Sequence, residues 1–239
     1  NMDYLYVDQY LAPLDPSSIT EKALVTAGTS LCFAALKDVK ITEKLPEEAR
    51  NCITIGSLNN PYKFNPKILR VWAKIMLKTP DSQLLLVRRE YASYYLRQNI
   101  VRELKWNGVD ESRVHFYDNQ SDGRHYLDCY NEIDISLDTY PVTGGTTTTD
   151  ALWMGVPVVG LEGAHIHQRV CSTILHHAGH AEWIAKNEEE FEQIALDLIN
   201  NRVLRLKLRH SLRGEIKRSL LCNTEQFAKD FEASIDSLF

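Results

Sequence analysis

Between two apolar runs, residues 133–137 and 157–161, the chain carries Thr143-Gly144-Gly145-Thr146-Thr147-Thr148-Thr149-Asp150 and then a short helical pattern. Strand, small polar loop, helix and strand in that order is how an α/β protein builds an anion site. The glycines let the backbone turn tightly. The first N–H groups of the following helix have no internal partner and point at whatever stands in front of them. Threonine hydroxyls add donors at the same place. β-branched residues are mediocre helix formers, so four in succession at a helix start read as used for their hydroxyls or as caps. The plain alternative is a helix cap with no ligand. Loops between strand and helix are where such folds place function, and a diphosphate suits this one.

The rest of the chain extends the alternation. Residues 53–58, 82–87, 113–117, 133–137, 157–161 and 182–185 read as strands. Helical stripes cover 65–78, 90–106, 125–131, 147–154 and 165–177. Asn107-Gly108 and Gly179 read as helix stops. Three helices follow, at 188–200, 203–218 and 225–238. Asn187 with Glu190, and Asn223 with Gln226, make capping-box patterns. The expected fold is α/β: a Rossmann-like, doubly wound parallel sheet with C-terminal helices. Residues 51–239 form that domain. Residues 1–50 read as an irregular segment, with short strands at 4–7 and 30–36, a loop at 11–20 and a charged linker at 37–48. No repeat of about 34 residues is present.

Bulk properties narrow the function classes. The chain has 239 residues and a net charge of −5, which argues against a general nucleic-acid or anionic-membrane binder. No apolar run approaches the ~18 residues of a membrane-spanning helix, and no signal peptide is visible. Five scattered cysteines without CxxC spacing suit reduced thiols in a cytoplasmic protein. The motifs GxSxG, HExxH, GxxxxGK[ST] and GxGxxG are all absent, which weighs against a P-loop NTPase and a standard dinucleotide oxidoreductase.

Single residues follow from position. Lys63 stands between a strand and a helix, where its point charge reaches a phosphate in the neighbouring crevice. Asn60 either donates an amide hydrogen bond there or caps a turn. Asp150, in the first turn of its helix, is favoured by the helix dipole and suits ribose hydroxyls. His165 and His167 lie on the same edge. His176 and His177 are adjacent and diverge, and Gly179 separates His176 from His180, so no metal site is expected. Trp72 and Trp153 read as core.

Four segments also carry a family resemblance. Asn59-Asn60-Pro61-Tyr62-Lys63, Ile133-Asp134-Ile135-Ser136-Leu137-Asp138-Thr139-Tyr140-Pro141, residues 144–159 and Ile184-Ala185-Lys186-Asn187-Glu188 resemble the C-terminal catalytic lobe of the protein O-GlcNAc transferase and SPINDLY family. Those are inverting glycosyltransferases of the GT-B type. Met2-Asp3-Tyr4 with Asp8-Gln9 looks like the segment that joins the family's two lobes. The resemblance covers nearly the whole chain.

It implies a nucleotide-sugar donor, UDP-GlcNAc or GDP-fucose, and a protein acceptor modified on serine or threonine, without a metal. It assigns Lys63 to the diphosphate, Asn60 to a polar neighbour of the phosphates, Thr146 and Thr147 to the phosphates, and Asp150 to the ribose. Gly145 joins this donor-binding set, at a position where O-GlcNAc transferases often carry histidine. A histidine eight residues before the aspartate matching Asp134 contacts the nucleotide in many members. Here that position is Tyr126, and His125, one residue off, is the donor-binding candidate. The family's N-terminal lobe and tetratricopeptide repeats lie outside this sequence, so the fragment alone is expected to bind donor and transfer poorly. A GT-B enzyme with a lipid or glycan acceptor, and a non-catalytic sugar-nucleotide module, are the competing readings.

Overall fold

Residues 3–34, 39–118 and 125–239 are described by the computed structural model. In chain order the first elements are β1 (Tyr4–Asp8), β2 (Lys22–Thr26), α1 (Pro46–Arg50), β3 (Ile53–Ser57), α2 (Pro66–Lys78), β4 (Ser82–Val87), α3 (Tyr94–Trp106) and β5 (Val114–Tyr117). They are followed by β6 (Ile135–Leu137), α4 (Thr146–Trp153), β7 (Val158–Leu161), α5 (Val170–Ala178), β8 (Ile184–Ala185), α6 (Glu188–Asn200), α7 (Arg202–Arg218) and α8 (Thr224–Asp236).

The apolar runs make one six-stranded sheet, ordered β5-β4-β3-β6-β7-β8, and every pair in it is parallel. From the centre, β3-α2-β4-α3-β5 winds one way and β6-α4-β7-α5-β8 the other. Right-handed crossovers then put the two helix groups on opposite faces. Accordingly α2 packs on α3 and α6, and α4 packs on α5 and α7. The strands are buried from both sides, which is why they read as continuous apolar runs. Trp72 on α2 and Phe191 on α6 are fully buried in the core.

The alternation and the doubly wound class agree with the sequence reading; several details differ. The expected helix over 90–106 is a 3-10 turn, Arg89–Ala92, followed by α3, because the Ser93 side chain accepts from the Leu96 N–H and starts a new helix. The stretch expected over 165–177 likewise divides into a 3-10 turn, Ile166–Gln168, and α5. The short helix expected at 125–131 is a 3-10 stretch, Tyr126–Glu132. Ahead of the main sheet, β1 and β2 pair in parallel, a pairing the sequence did not announce. Residues 30–34 carry no strand, and the rest of that expectation, residues 35 and 36, lies outside the described residues. The end of the segment expected to be a linker, residues 46–48, begins α1, and its residues 37 and 38 lie outside the described residues.

Two packing features hold the ends of the chain. α8 lays Phe227 and Phe231 edge-on against Tyr6 of β1, at ring distances of 6.1 and 5.1 Å. At the end of β1, Asp8 is fully buried and accepts from the Tyr10, Leu11 and Ser30 N–H groups and the Ser30 and Thr173 hydroxyls. Along α7, Arg205, Arg209 and Arg213 sit four residues apart and spend their donors on main-chain carbonyls. Arg205 reaches Leu198 at the end of α6 (2.6 Å). Arg209 reaches Tyr130, Met154 and Ile133 (3.2, 3.2 and 2.7 Å), and Arg213 reaches Trp153 and Val39 (2.9 and 2.7 Å). Among the described residues, no helix is long and apolar enough to cross a membrane.

Candidate functional site

The strand order reverses between β3 and β6. Their onward connections leave in opposite directions and open a crevice at the carboxyl ends of the strands, where ligands of such sheets bind.

Leaving β3, the chain passes Leu58-Asn59-Asn60 and enters a 3-10 turn, Pro61–Lys63. Asn60 caps that turn, its Oδ1 accepting from the Tyr62 N–H at 3.0 Å. The turn brings Lys63 back to Asn59. Lys63 Nζ donates to Asn59 Oδ1 (3.2 Å) and to the Thr143 carbonyl (2.9 Å). An ammonium has three donors, so one is left over. Burial pulls the Lys63 pKa down and the nearby Asp138 carboxylate opposes this. The charge is thus poorly solvated, and an incoming anion would restore what burial has taken away.

Leaving β6, Asp138 is buried and accepts from the Gly144 N–H on both oxygens (2.8 and 2.9 Å) and from Asn59 Nδ2 (2.9 Å). Burial raises its pKa against these hydrogen bonds. Asn59 Oδ1 also accepts from the Thr147 hydroxyl at 3.0 Å. A single chain of bonds, Gly144 to Asp138 to Asn59, therefore ties the two crevice loops together and fixes both Lys63 and Thr147. Gly144 has no room for a side chain. An added Cβ would lie 2.6 Å from Thr148 Oγ1, 2.7 Å from Asp138 Oδ1 and 2.9 Å from Thr147 Oγ1. Gly145 is freer, with only Val170 Cγ1 at 3.4 Å.

Gly145 is the N-cap of α4 and offers no side-chain cap, so Thr146 and Thr147 present their N–H groups at the head of the helix. They line a cleft of about 290 Å³, near the lower end for small-molecule sites. Asp150, one turn along, Tyr126 and Tyr130 of the 3-10 stretch, and Arg88 and Arg89 at the end of β4 complete its polar wall. Tyr130 donates to the Thr147 carbonyl at 3.0 Å. Arg88 is engaged by both oxygens of Glu90 (3.2 and 3.3 Å). Asp150 is buried, and burial pushes its pKa up to about 6 against the opposing pull of the nearby Tyr126 phenol. Its Oδ1 has no partner.

The structure thus brings together Lys63, Thr146, Thr147 and Asp150, with Lys63 beside the cleft wall and linked to it through Asn59. Asn60 and His125 turn elsewhere: Asn60 caps its turn, and His125 Nδ1 accepts from the Leu127 N–H at 3.3 Å while Tyr126 lines the cleft. Asn59, Asp138, Tyr130 and Arg88 complete a constellation that single-residue reasoning passed over, and Tyr126, at the position the resemblance matches to the family's histidine, joins them while His125 does not. Asn59, Asp138 and Arg88 are polar residues directly after buried strands, which is the signal that finds them. His165 and His167 stack on each other with ring centres 5.7 Å apart, and His167 serves the site through its carbonyl, which accepts from the Thr143 N–H and hydroxyl. Among the described residues, no group of three or more His, Cys, Asp or Glu side chains is placed to hold a metal. A larger cavity, of about 610 Å³, opens at the other end of β3 and β4. There Arg202 already pairs with Glu47 and Glu48, and Arg205 with Glu47.

Crevice, uncapped helix head and lysine stand together on a doubly wound α/β domain. The family described as Glycosyl transferase family 41 matches residues 8–231, and the chain belongs to that family. It is 32% identical over its full length to a protein of Oryza sativa subsp. japonica named probable UDP-N-acetylglucosamine–peptide N-acetylglucosaminyltransferase SPINDLY, and 31% identical to the Arabidopsis thaliana protein of the same name. It spans about a quarter (26%) of the length of each. Among solved structures it resembles a mutant of Thermobaculum terrenum O-GlcNAc transferase, with a TM-score of 0.88 and 30% identity over 98% of this chain and 44% of that one. A likeness to Staphylococcus aureus TarM, with a TM-score of 0.63 and 13% identity over 97% of this chain and 43% of that one, reflects the fold alone.

Proposed function

We propose that this chain is the donor-binding half of an inverting glycosyltransferase that moves a sugar from a nucleotide diphosphate to serine or threonine hydroxyls of proteins. GlcNAc from UDP-GlcNAc is the first reading, in keeping with the names of the plant relatives. One observation carries the reading: a half-buried lysine and an uncapped helix head, bound to the same asparagine, converge on the switch-point crevice.

In the transfer, the acceptor oxygen bonds to the anomeric carbon as the bond from that carbon to the diphosphate breaks. The electron pair leaves with the diphosphate. Lys63 and the N–H groups of Thr146 and Thr147 meet that growing charge, already oriented and without a metal. The hydroxyl proton goes to a base outside this chain, and the acceptor is held in line by the other lobe. The isolated chain therefore binds donor and turns it over poorly.

The test is calorimetry of UDP, UDP-GlcNAc, GDP and GDP-fucose on this chain and on Lys63→Ala. Tighter binding of the guanosine pair assigns the chain to GDP-fucose instead. Lys63→Ala is expected to weaken the diphosphates at least about tenfold, the scale of one charge-assisted contact, and to leave the free nucleosides unchanged. Binding of none of the four defeats the nucleotide reading. Equal diphosphate binding by Lys63→Ala defeats the role of the lysine, and robust transfer by the isolated chain defeats the half-enzyme reading.

A further inference from the structure

Two donors of Lys63 are fixed, by Asn59 Oδ1 and by the Thr143 carbonyl, so the place of that carbonyl helps decide where the third donor points. Thr143 is clamped in turn. Its N–H and its hydroxyl both donate to the His167 carbonyl, at 3.0 and 3.1 Å, and the hydroxyl accepts from the Cys171 N–H at 3.3 Å. His167 belongs to the loop that leaves β7, and a buried guanidinium closes that loop. Arg169 Nη1 donates to the Gly163 carbonyl at 2.8 Å, and Nη2 lies 3.0 Å from Glu162 Oε1. Arg169 Nε donates to the Tyr10 carbonyl at 2.8 Å. Two main-chain bonds complete the arrangement: the Gly163 N–H donates to the Gln168 carbonyl (3.3 Å), and the Leu14 N–H to the Ala164 carbonyl (2.9 Å).

We propose that Arg169 is a positioning residue for the diphosphate of the nucleotide: it closes the loop so that His167 holds Thr143, and Thr143 holds Lys63 at the crevice. The proposal rests on the nucleotide reading above. Burying a guanidinium is costly, and apolar packing could close so short a loop. What the guanidinium adds is fixed geometry, because its planar fork holds three acceptors at once. A lysine keeps a charge beside Glu162 but cannot span the same three acceptors. Through Nε the same side chain ties residues 10–14, just after β1, to the loop that anchors Lys63. The path from Tyr10 to the lysine is therefore built from main-chain carbonyls, and the one buried cation holds its upper end.

The experiment is a double-mutant cycle of Arg169→Lys with Lys63→Ala, read as affinity for UDP, GDP and their nucleosides, with urea unfolding to check that each variant folds. Arg169→Lys should weaken the diphosphates at least about threefold in the parent and less than about 1.5-fold in the Lys63→Ala background, with nucleoside binding unchanged in both. A role in general stability alone would weaken nucleoside and diphosphate together, or add its loss to that of Lys63→Ala. Either result overturns the proposal, and so does full affinity in a folded Arg169→Lys. If Arg169→Lys does not fold, the cycle is run with Thr143→Val, which removes the hydroxyl bond to His167 at the link through which Arg169 must act. The same pattern is expected there, and losses that add, or no loss, overturn the proposal. A parent chain that binds neither diphosphate overturns the nucleotide reading and the proposal with it. Equal diphosphate binding by Lys63→Ala overturns the part of the lysine in both.

Discussion

Neighbouring glycines in the crevice loop should respond to the same substitution in opposite ways. In Gly144→Ala the new methyl would sit at 2.6, 2.7 and 2.9 Å from Thr148 Oγ1, Asp138 Oδ1 and Thr147 Oγ1, all inside contact distance. Asp138 and Thr147 cannot swing away freely. Asp138 is pinned by the Gly144 N–H and by Asn59, and Thr147 by Asn59 and, through its carbonyl, by Tyr130. Overpacking of this kind costs about 1–3 kcal/mol. Pushing Asp138 off the Gly144 N–H forfeits a hydrogen bond to a buried charge, about 1.5–3 kcal/mol more. The sum is about 2.5–6 kcal/mol, or a fall in Tm of roughly 5–24 °C for a domain of this size. In Gly145→Ala the methyl meets only Val170 Cγ1, at 3.4 Å, and the backbone φ of −114° is outside the left-handed region. That variant should lose no more than about 1 kcal/mol. Urea unfolding of the three chains, followed by UDP and GDP calorimetry, separates them. Equal destabilisation by the two alanines, or full nucleotide affinity in a folded Gly144→Ala, would refute the claim that the bond chain from Gly144 to Asn59 builds the site.

At Asp8, burial opposes ionisation, but hydrogen bonds from His177, Ser30 and Leu11 outweigh it and hold the carboxyl well below the usual aspartate range. Its stabilisation is therefore full above the unfolded-state value of about 4 and is lost as pH falls toward the native one. Asp8→Asn should cost about 2–3 kcal/mol at pH 7 by urea titration, and the gap should close below about pH 4. Asp150 has the opposite sign: its pKa is raised to about 6, so ionisation lowers the stability of the unliganded chain as pH rises from about 4 through 6. Asp150→Asn should flatten that slope in a pH series of Tm values. Arg209→Met removes a donor from each of three carbonyls and should lower stability by at least about 3 kcal/mol by chemical denaturation, whereas Arg218→Met, on the exposed end of α7, should change it by less than about 0.5 kcal/mol.

Much of this architecture was legible because its signals are local. β4 and α6 occupy the bounds that their apolar runs indicated. Asn187 and Asn223 cap as their spacing announced, accepting from the Glu190 and Gln226 N–H groups. What escaped depended on geometry between distant segments. Asn59 and Asn60 are adjacent and chemically identical. Only the turn at Pro61–Lys63 decides that the second caps and the first enters the crevice. Asp138 stood inside a recognisable segment, but its role comes from a glycine N–H six residues on and an asparagine 79 residues back. The β1–β2 pairing escaped for a similar reason. Half-exposed strands of five residues offer little periodicity, and their partner is settled by α8, about 200 residues away along the chain.

The arginines of α7 carry a consequence for the order in which the molecule can be completed. The carbonyls of Tyr130, Ile133, Trp153 and Met154 sit on the turns that lead into β6 and out of α4, at the edge of the sheet opposite the crevice. Their donors, Arg209 and Arg213, are synthesised more than fifty residues later. Until α7 has left the ribosome and docked, those carbonyls lack its donors, Tyr130 keeping only the Ile133 N–H of its own turn, and the unmet capacity is left to water. That edge of the sheet is thus tied by a helix made after every residue of the candidate site. A nascent or clipped molecule ending at α6 would contain every residue of the candidate site and still lack the donors that tie the far ends of the strand and helix that carry it.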